Sequence, residues 1–455
     1  MTGLSAQAVL VIPVVDEGLG NSSYLVDLGD GRALAVDPPR DLRAVDAAAA
    51  RHRLRVVAAA DTHLHADFLS GATRLAARDG ATVYASAAGG REFPHIGLDD
   101  GDEADLGGLT LRALATPGHT GEHLAYLLAD GPTALGVFTG GSLLVGAAAR
   151  TDLVSPEQTE SLARAQYASL HRLATLPDET AVWPTHGAGS FCSAPVGAER
   201  TTTIGREKAT NPLLAAPDED TFVTHLLASL GSFPPYFLRL PETNRRGPAL
   251  PPADAVLPPL TATQVIGAAG AEVIDVRPSA AYAAGHLPGS LAIRLRGAFA
   301  TWLGWLVPDP DTPLVFVRDA DQDPEEIVWQ ARKIGYDQLL GELAGGVPAW
   351  AAAGQPVASL PLLDPDQVDP ARVIDVRQIS EYAGGHLPTA RNIELGALPC
   401  ADVPAGPVVT MCGRGERATT AASVLERSGR TDVAVLTAGA EEWAKATGGT
   451  LEVAP

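Results

Sequence analysis

The chain has 455 residues, more than a single hydrophobic core usually supports, so about two to four domains are expected. Its formal net charge of −21 argues against nucleic acid and anionic membrane surfaces as partners, because such contacts need clustered lysine and arginine. The longest apolar runs have the length of strands, and no export signal is recognisable at the start, so a soluble cytoplasmic protein is expected.

Short strands alternate with helices over the first half of the chain. The pattern predicts strands at 9–15, 22–28, 32–37, 56–61, 82–86, 109–115, 123–128, 134–139 and 181–184, and helices around 41–52, 69–79 and 156–176. Two sheets with helices packed outside them are expected. The segment from Asn244 to Asp254 is rich in proline and polar residues, which is typical of a linker. The sequence therefore predicts an N-terminal domain over residues 1–245 and a linker over 246–260.

An internal repeat follows the linker. The segment Ala271–Arg277 recurs as Ala371–Arg377, and the motif Gly-His-Leu-Pro begins at both Gly285 and Gly385. Each copy has the pattern of a buried strand, a short helix, a turn, and then a second strand and helix, which predicts a parallel α/β sheet. Two domains are expected, over residues 261–357 and 358–455.

Histidines and a carboxylate follow several predicted strands of the N-terminal domain. His63, His65 and Asp67 alternate in the segment Thr-His-Leu-His-Ala-Asp-Phe, so an extended backbone places their side chains on one side. His119 and His186 each follow a later strand. Histidines at successive strand ends can converge on one pocket, so these five residues are the predicted metal ligands.

The thiols of the chain are few. Only Cys192, Cys400 and Cys412 occur, which indicates individual thiols and not a disulfide framework. Cys412 follows a predicted buried strand, Val408–Met411, and precedes a helix expected from about residue 418 to 427. Backbone N–H groups at such a junction and the helix dipole favour an anion, so Cys412 is predicted to be a nucleophilic thiolate. Cys192 is expected to be a packed small residue, and Cys400 is either a core residue or a thiol that resolves a persulfide on Cys412.

A six-residue loop is the predicted catalytic segment. The two glycines let the loop curl and the arginines attract an anion; its members are Cys412, Gly413, Arg414, Gly415, Glu416 and Arg417. The first copy has the acidic segment 318–323 at the corresponding place and no cysteine, so it is predicted to be inactive and to pack against or place the active copy. Residues that both copies share are accordingly expected to be structural; they are Asp275 and Asp375, Arg277 and Arg377, and His286 and His386.

The N-terminal domain resembles the metallo-β-lactamase fold, in the branch that holds glyoxalase II hydrolases and persulfide dioxygenases. His63, His65 and Asp67 match the family motif His-x-His-x-Asp-His, while His119 matches its Pro-Gly-His and His186 its late His-Gly. The resemblance implies an αββα sandwich. It also implies that His63 and His119 correspond to ligands of the single iron in persulfide dioxygenases.

The chain departs from this family pattern at two positions. Phe68 stands where dinuclear members carry a histidine, and Gly141 stands where the family carries a metal-binding aspartate. Loss of both groups removes most of what holds two divalent ions together, so a dinuclear hydrolase is not expected. One Fe(II) or Zn(II) ion is predicted, with its third ligand among His65, Asp67 and His186.

Both repeats resemble rhodanese domains, which are parallel-sheet α/β sulfurtransferases. The second copy matches over residues 360–455 and includes the active loop that begins with Cys412 and ends with Arg417. The resemblance implies that Cys412 takes a sulfane sulfur as a persulfide and passes it to an acceptor.

The leading hypothesis is an enzyme of sulfur metabolism that joins persulfide oxidation to sulfur transfer. It would oxidise a low-molecular-weight persulfide to sulfite, while Cys412 takes sulfur from a persulfide or thiosulfate and delivers it to a thiol or sulfite. The alternatives are a sulfurtransferase whose N-terminal domain has lost its metal chemistry, a glyoxalase II-like thioester hydrolase, and a non-enzymatic sulfur carrier or redox sensor. No nucleic-acid or membrane partner is expected, and a homodimer is left open.

Overall fold

The computed structural model of the protein describes residues 9–192, 199–252 and 254–453. The described residues up to Pro251, together with Arg332–Gly335, form one unit, and the remaining described residues from Pro252 onward form a second. The ends of the predicted domains at 1–8 and 454–455, and Ala253 of the predicted linker, lie outside the described residues. None of the helices in the described ranges is both long and apolar enough to cross a membrane.

The first sheet of the N-terminal unit has six strands in sequence order. They are β1 (Val11–Asp16), β2 (Asn21–Asp27), β3 (Arg32–Val36), β4 (Arg55–Ala60), β5 (Thr82–Ser86) and β6 (Ile96–Leu98). β1 to β3 are antiparallel neighbours, whereas β3 to β6 run parallel. The helices α1 (Arg43–His52) and α2 (Ala72–Asp79) connect the parallel strands, and their Val45 and Leu75 pack on the outer face of the sheet.

The second sheet is built from strands later in the chain. The strands are β7 (Glu103–Asp105), β8 (Thr110–Ala115), β9 (Leu124–Asp130), β10 (Thr133–Gly140), β11 (Leu143–Leu144), β12 (Ala147–Ala148), β13 (Ala181–Pro184) and β14 (Thr202–Thr203). Six of them lie in the order β14-β13-β10-β9-β8-β7, while β11 and β12 form a separate ribbon. The helices of this half are α3 (Thr159–Leu173), α4 (Ile204–Thr210), α5 (Glu219–Ala228) and α6 (Leu240–Arg246). Leu170 of α3 and Phe222 of α5 pack on the outer face of the sheet.

The main core of this unit lies between the two sheets. Tyr24 and Leu34 of the first sheet pack there with Leu111, Tyr126 and Phe138 of the second, and all five side chains are buried. Helices cover both outer faces, so the αββα sandwich implied by the sequence is confirmed. The nine predicted strands are present with ends within two residues of the predicted ones, whereas β6, β7, β11, β12, β14 and α4 to α6 were not predicted.

Asn244, which lies just before the predicted linker, holds a turn of the N-terminal unit. Asn244 lies in α6 and is buried; its amide donates to the carbonyl oxygens of His65, at 2.8 Å, and Phe68, at 2.9 Å. The N–H of Ser70 donates to the Asn244 side chain at 2.9 Å. Asn244 therefore belongs to the folded N-terminal unit, because it holds the turn that carries the His-x-His-x-Asp segment. The predicted boundaries at residues 245 and 357 stay predictions.

The second unit contains two parallel five-stranded sheets with the same strand topology. The first repeat consists of β15 (Pro259–Leu260), α7 (Ala262–Gly267), β16 (Glu272–Asp275), α8 (Ser279–Ala284), β17 (Leu291–Ala292), α9 (Phe299–Leu306), β18 (Leu314–Val317), α10 (Pro324–Arg332), β19 (Leu339–Leu343) and α11 (Gly346–Ala352). The second consists of β20 (Leu362–Leu363), β21 (Val373–Asp375), α12 (Ile379–Ala383), β22 (Arg391–Asn392), β23 (Val408–Met411), α13 (Glu416–Arg427), β24 (Val433–Leu436) and α14 (Ala440–Thr447). The strand orders are β15-β19-β18-β16-β17 and β20-β24-β23-β21-β22, so the predicted internal repeat is also a structural repeat.

The residues that both repeats share make the same contacts in each. Arg277 pairs with Asp275 at 2.6 Å and donates to the carbonyl oxygen of Gly285 at 2.8 Å. The second repeat has the same two distances between the corresponding residues, which are Arg377, Asp375 and Gly385. His286 and His386 each stack on a tyrosine four residues earlier. These contacts support the structural role expected for the shared residues.

Candidate functional site

The histidine-bearing loops of the N-terminal unit meet at one edge of the sandwich. His63 follows β4, while His119 and His186 follow β8 and β13. β8 and β10 are both antiparallel to β9, and β13 is parallel to β10, so β8, β10 and β13 end at the same edge. A bridge between Asn21 and His186 joins this edge to the first sheet. Chain segments far apart in sequence thus form one buried pocket.

Three of the five predicted ligands converge on one point. The side-chain nitrogens of His63, His119 and His186 lie within 4.8 Å of one another, and all three side chains are buried. The Nε2 atoms of His63 and His186 are 3.3 Å apart. His186 is therefore the candidate third ligand that the geometry favours.

Each of these imidazoles has an acceptor for its Nδ1–H group. The Nδ1 of His119 donates to the carbonyl oxygen of Arg150 at 2.7 Å, and that of His186 donates to the side-chain oxygen of Asn21 at 3.1 Å. The Nδ1 of His63 donates to the hydroxyl of Thr62 at 2.9 Å. With the Nδ1 atoms protonated, the Nε2 atoms keep lone pairs, which is the tautomer that binds metal ions.

The electrostatics of the cluster also fit a metal ion. Burial and the neighbouring imidazoles lower the pKa of His63 well below its usual range, and burial lowers that of His119 to about 3. Both rings are therefore neutral at physiological pH. The Nε2 of His119 is buried without a partner, which is costly unless a cation or water binds there. The three histidines can thus hold one divalent ion.

Asp67 lies next to this cluster. Its carboxylate accepts from the amide of Asn21 at 2.8 Å and lies 3.3 Å from the Nδ1 of His186. Burial alone would raise the pKa of Asp67, but His186 and Asn21 lower it to about 2, so the group is ionised. Asp67 also forms a second possible ligand group with His65 and His186, and its other oxygen is buried without a partner.

His65 is not one of the three converging histidines, although it belongs to the second possible ligand group with Asp67 and His186. Its Nε2 lies 3.1 Å from the carboxylate of Asp37, and its ring stacks on Phe68 with 4.2 Å between the ring centroids. Burial would lower the pKa of His65, but the charge and hydrogen bond of Asp37 raise it. Phe68 thus packs against a histidine whose Nε2 faces Asp37.

Gly141 leaves room for the imidazole of His119. A Cβ atom at this position would lie 2.2 Å from the Cδ2 of His119, far inside van der Waals contact. A side chain at residue 141 is therefore incompatible with the observed ring position. The absent aspartate and the position of His119 are linked features of this pocket.

Replacing Gly141 with alanine is expected to destabilise the N-terminal unit by about 1 to 3 kcal/mol, because the methyl group would displace the buried ring of His119. Urea unfolding of the full-length protein measures this effect. Gly231→Ala is the matched control, since a Cβ at residue 231 meets no atom within 4 Å. Equal stability of the two variants would contradict the steric explanation.

Sequence reasoning did not identify several polar residues that orient the pocket. Asn21 contacts both His186 and Asp67, and Gln166 of α3 accepts from the N–H of His119 at 3.1 Å. Asp37 follows β3, the parallel neighbour of β4, and its position at a strand end could have indicated it. The side-chain amides of Asn21 and Gln166 lie in no recognisable motif.

Two further polar side chains of the pocket have structural roles. His123 uses both ring nitrogens, because Nδ1 donates to the hydroxyl of Thr116 at 2.8 Å and Nε2 accepts from the N–H of Gly141 at 3.0 Å. Cys192 is buried, and burial together with the charge of Asp67 raises the pKa of its thiol well above the usual value. Cys192 is therefore held as a neutral thiol, in agreement with the packing role expected for it.

A cavity of about 580 Å³ borders the His-x-His-x-Asp segment. Leu64 and Ala66 of that segment line it together with Glu122, Leu153 and Arg245. The volume is in the range of sites for small organic ligands. The cavity gives a small substrate a place against the loops that carry His63 and His119, since Leu64 and Thr120 line it.

Cys412 occupies the predicted junction in the second unit. It follows β23, and α13 begins four residues later, so the positive end of the helix dipole faces the loop. Its side chain is buried, whereas Arg414 is exposed. Gly415 has a φ of 76°, a left-handed conformation that favours glycine. Gly439 packs closely on Gly413, because a Cβ atom at residue 439 would lie 2.8 Å from the carbonyl oxygen of Gly413.

The helix begins two residues earlier than expected, so Arg417, predicted as the last residue of the loop, lies in the first turn of α13, where a bidentate ion pair fixes it. Its guanidinium donates to the two carboxylate oxygens of Glu381 at 2.6 and 2.8 Å. Burial alone would lower the pKa of Arg417, but Glu381 and the nearby Cys412 raise it. Arg417 therefore stays charged, and its position next to Cys412 suits an anionic sulfur group.

The corresponding loop of the first repeat begins with an arginine instead of a cysteine. Arg318 follows β18 as Cys412 follows β23, and its guanidinium donates to the loop carbonyl oxygen of Gln322 at 3.0 Å and to Glu342 at 2.8 Å. A cation thus stands where the second repeat has its thiol, surrounded by oxygen acceptors. This arrangement supports the prediction that the first repeat is inactive.

Comparison with protein families and solved structures agrees with this two-part organisation. The sequence model of the rhodanese-like domain matches residues 261–353 and 362–446. A crystal structure of a metallo-β-lactamase from Staphylococcus aureus subsp. aureus COL is 29% identical, with a TM-score of 0.65, and the match covers 74% of this chain and 99% of that one.

Curated relatives match the N-terminal part of the chain. The persulfide dioxygenase ETHE1, mitochondrial, of Homo sapiens is 32% identical over 188 residues, which are 39% of this chain and 68% of that protein. The hydroxyacylglutathione hydrolase of Pseudomonas putida strain GB-1 is 36% identical over 125 residues, which are 28% of this chain and 45% of that protein. The chain spans less than half the length of the second of these relatives.

Proposed function

Because this chain belongs to the proteins in which a metallo-β-lactamase-fold domain of the persulfide dioxygenase and glyoxalase II type is fused to rhodanese domains, we propose that it is an enzyme of sulfur metabolism. Its second repeat transfers sulfane sulfur through Cys412. Its N-terminal domain oxidises a low-molecular-weight persulfide to sulfite. The two activities use separate sites in the same chain.

The sulfur-transfer step is a displacement at sulfur. The Cys412 thiolate attacks the outer sulfur of thiosulfate, a new S–S bond forms, and sulfite leaves with the electron pair of the broken bond. A low-molecular-weight persulfide serves equally, with a thiolate as the leaving group. The persulfide on Cys412 then passes its outer sulfur to a thiol, sulfite or cyanide, which restores the Cys412 thiolate.

The environment of Cys412 supports this step. The loop places the thiol at the start of α13, and the cation of Arg417 is held beside it by Glu381. Both features attract an anionic sulfur donor and stabilise the anionic persulfide that results.

The N-terminal domain needs a metal ion for its part. His63, His119 and His186 are the residues that would hold one Fe(II) or Zn(II), and iron is the choice that fits an oxidation. When bound, iron would supply the redox chemistry for which amino-acid side chains have no equivalent. The carbonyl of Arg150 and the amide of Asn21 keep two of the imidazoles in the binding tautomer.

The substrate of this domain is a small persulfide. The reaction consumes one persulfide, one O2 and one water, and it yields one thiol, one sulfite and two protons. The cavity beside the histidine cluster is large enough for a low-molecular-weight thiol compound. Sulfite from this reaction is a suitable acceptor for the Cys412 persulfide, which would give thiosulfate.

A single observation supports the oxidation proposal, namely three buried histidines whose ring nitrogens converge while their Nδ1 atoms have hydrogen-bond partners of their own. The test is metal analysis of the purified protein together with O2 uptake on glutathione persulfide. We expect about one iron per chain and O2 uptake that depends on it. A protein without bound iron and without uptake would leave a sulfurtransferase with an inactive N-terminal domain.

A thioester hydrolase is the second candidate, since several relatives carry the name hydroxyacylglutathione hydrolase. Phe68 and Gly141 weigh against it, because they replace groups that a second metal ion needs. Release of glutathione from a hydroxyacylglutathione by the metal-loaded protein, without O2 uptake on glutathione persulfide, would favour the hydrolase over the dioxygenase.

A further inference from the structure

Helix α13, which begins at the Cys412 loop, is held against the first repeat at several points. The backbone N–H of Ala292 donates to the hydroxyl of Ser423 at 3.1 Å. Near the end of the helix, Arg427 pairs with Glu272 through two contacts of 2.6 and 2.9 Å. At its start, Glu416 is contacted by two arginines of the first repeat. The inactive repeat therefore contacts α13 at both ends.

The contact at the start of α13 joins the first repeat to the active loop. Glu416 was predicted as part of the loop that carries Cys412 and is the first residue of α13, directly after that loop; its side chain is 19% exposed. Arg294 pairs with one carboxylate oxygen, and the Nε of Arg296 lies 2.9 Å from the other. The carboxylate of Glu416 thus has a cation from the first repeat on each oxygen.

An unpaired carboxylate at this place would oppose the chemistry of the loop. Cys412 must be a thiolate to attack, and thiosulfate arrives as a dianion, so a nearby negative charge repels both. Within the second repeat, the charges of Arg414 and Arg417 are balanced by those of Glu416 and Glu381. These four side chains together have no net charge. When Arg294 and Arg296 of the first repeat are added, the six side chains have a net charge of +2.

We propose that Arg294 and Arg296 are positioning residues for the active site of the second repeat. They neutralise Glu416 and make the Cys412 loop attractive to anionic sulfur donors. This inference rests on the proposed sulfur transfer at Cys412. It gives the inactive repeat an electrostatic role in substrate binding, beyond packing.

The experiment compares full-length variants in thiosulfate:cyanide sulfurtransferase kinetics. For Arg294→Gln with Arg296→Gln we expect the KM for thiosulfate to rise roughly three- to tenfold with a smaller change in kcat, and the difference to shrink at high salt. Adding Glu416→Gln should return the KM toward the wild-type value, because the charge that the arginines neutralise is then absent. A KM that stays at the wild-type value in the arginine variant would overturn the proposal, as would failure of the third substitution to restore it.

Glu272→Gln with Arg427→Gln is the matched control. It removes another ion pair between the repeats, at the far end of α13 and about 16 Å along the helix from Glu416. The control should keep the wild-type KM. An equal rise in the control would show that docking of the repeats, and not the charge at the loop, is what matters.

A second measurement does not depend on turnover. Alkylation of Cys412 by anionic iodoacetate and by neutral iodoacetamide is followed by mass spectrometry of the peptide that contains it. The rate with iodoacetate divided by the rate with iodoacetamide reports the electrostatic potential at the thiol. The ratio should fall in the arginine variant and not in the control. A falling ratio in a protein without sulfurtransferase activity would contradict the proposed function alone. Normal activity with an unchanged ratio and KM would contradict this inference alone.

Discussion

Cys412→Ser is expected to reduce thiosulfate:cyanide sulfurtransferase activity by at least about a thousandfold, because a serine hydroxyl is neutral at physiological pH and is a poor nucleophile toward sulfur. The side chain is nearly isosteric and buried, so the fold should be retained. Thiocyanate formation measures the activity. Mass spectrometry after incubation with thiosulfate alone should also show one added sulfur on the wild-type Cys412 peptide.

Cys400→Ser is the control for this prediction, since Cys400 is exposed in a short turn and Cys412 is buried. Transfer from thiosulfate to cyanide should continue in this variant. If Cys412→Ser remained active and Cys400→Ser did not, the nucleophile would have to be reassigned to Cys400. A role for Cys400 in resolving the persulfide stays a prediction, which slower transfer to thiol acceptors in Cys400→Ser would support.

His119→Gln is expected to weaken Fe(II) binding by at least about a hundredfold, because it removes one of three converging imidazoles. Glutamine keeps a polar side chain in a buried position and limits the loss of stability. The measurement is iron content after anaerobic reconstitution and desalting, which does not depend on activity. His63→Gln and His186→Gln should lose iron to a similar extent.

Two histidines serve as controls for the metal site. His171 is exposed on α3, and His171→Gln should bind iron as the wild type does. His65→Gln tests the geometry more sharply, since His65 contacts Asp37 and lies outside the cluster. It should keep more iron than His119→Gln. Iron retained in His119→Gln, or lost most strongly in His65→Gln, would contradict the assignment of the three-histidine site.

Much of the fold could be predicted because its signals are local. The strands of the N-terminal unit appear as short apolar runs between turn residues, and the repeat is visible as the same segment around Asp275 and Asp375. The Cys412 loop was predicted for the same reason, since the strand, thiol, glycines and helix are consecutive in sequence. The short strands β6, β7 and β14 have too few residues for a periodic pattern.

The arrangement of the metal pocket could not be predicted in the same way. The sequence offered five candidate ligands and left the third one open among His65, Asp67 and His186. Only the tertiary contacts favour His186 over the other two. His65 bonds to Asp37, which lies 28 residues earlier, and Asn244 reaches the same turn from α6. Side chains that hydrogen-bond to distant backbone groups have no local sequence pattern.

The cation in the loop of the first repeat bears on what a thiol would need in order to function there. Its carbonyl oxygens bind the guanidinium of Arg318, so a cysteine placed there alone would lie among acceptors that disfavour a thiolate. A cysteine at residue 318 would therefore also need these carbonyl oxygens to turn away before the loop could hold an anionic sulfur. The contribution of the first repeat to the active loop lies instead in Arg294 and Arg296, which contact Glu416.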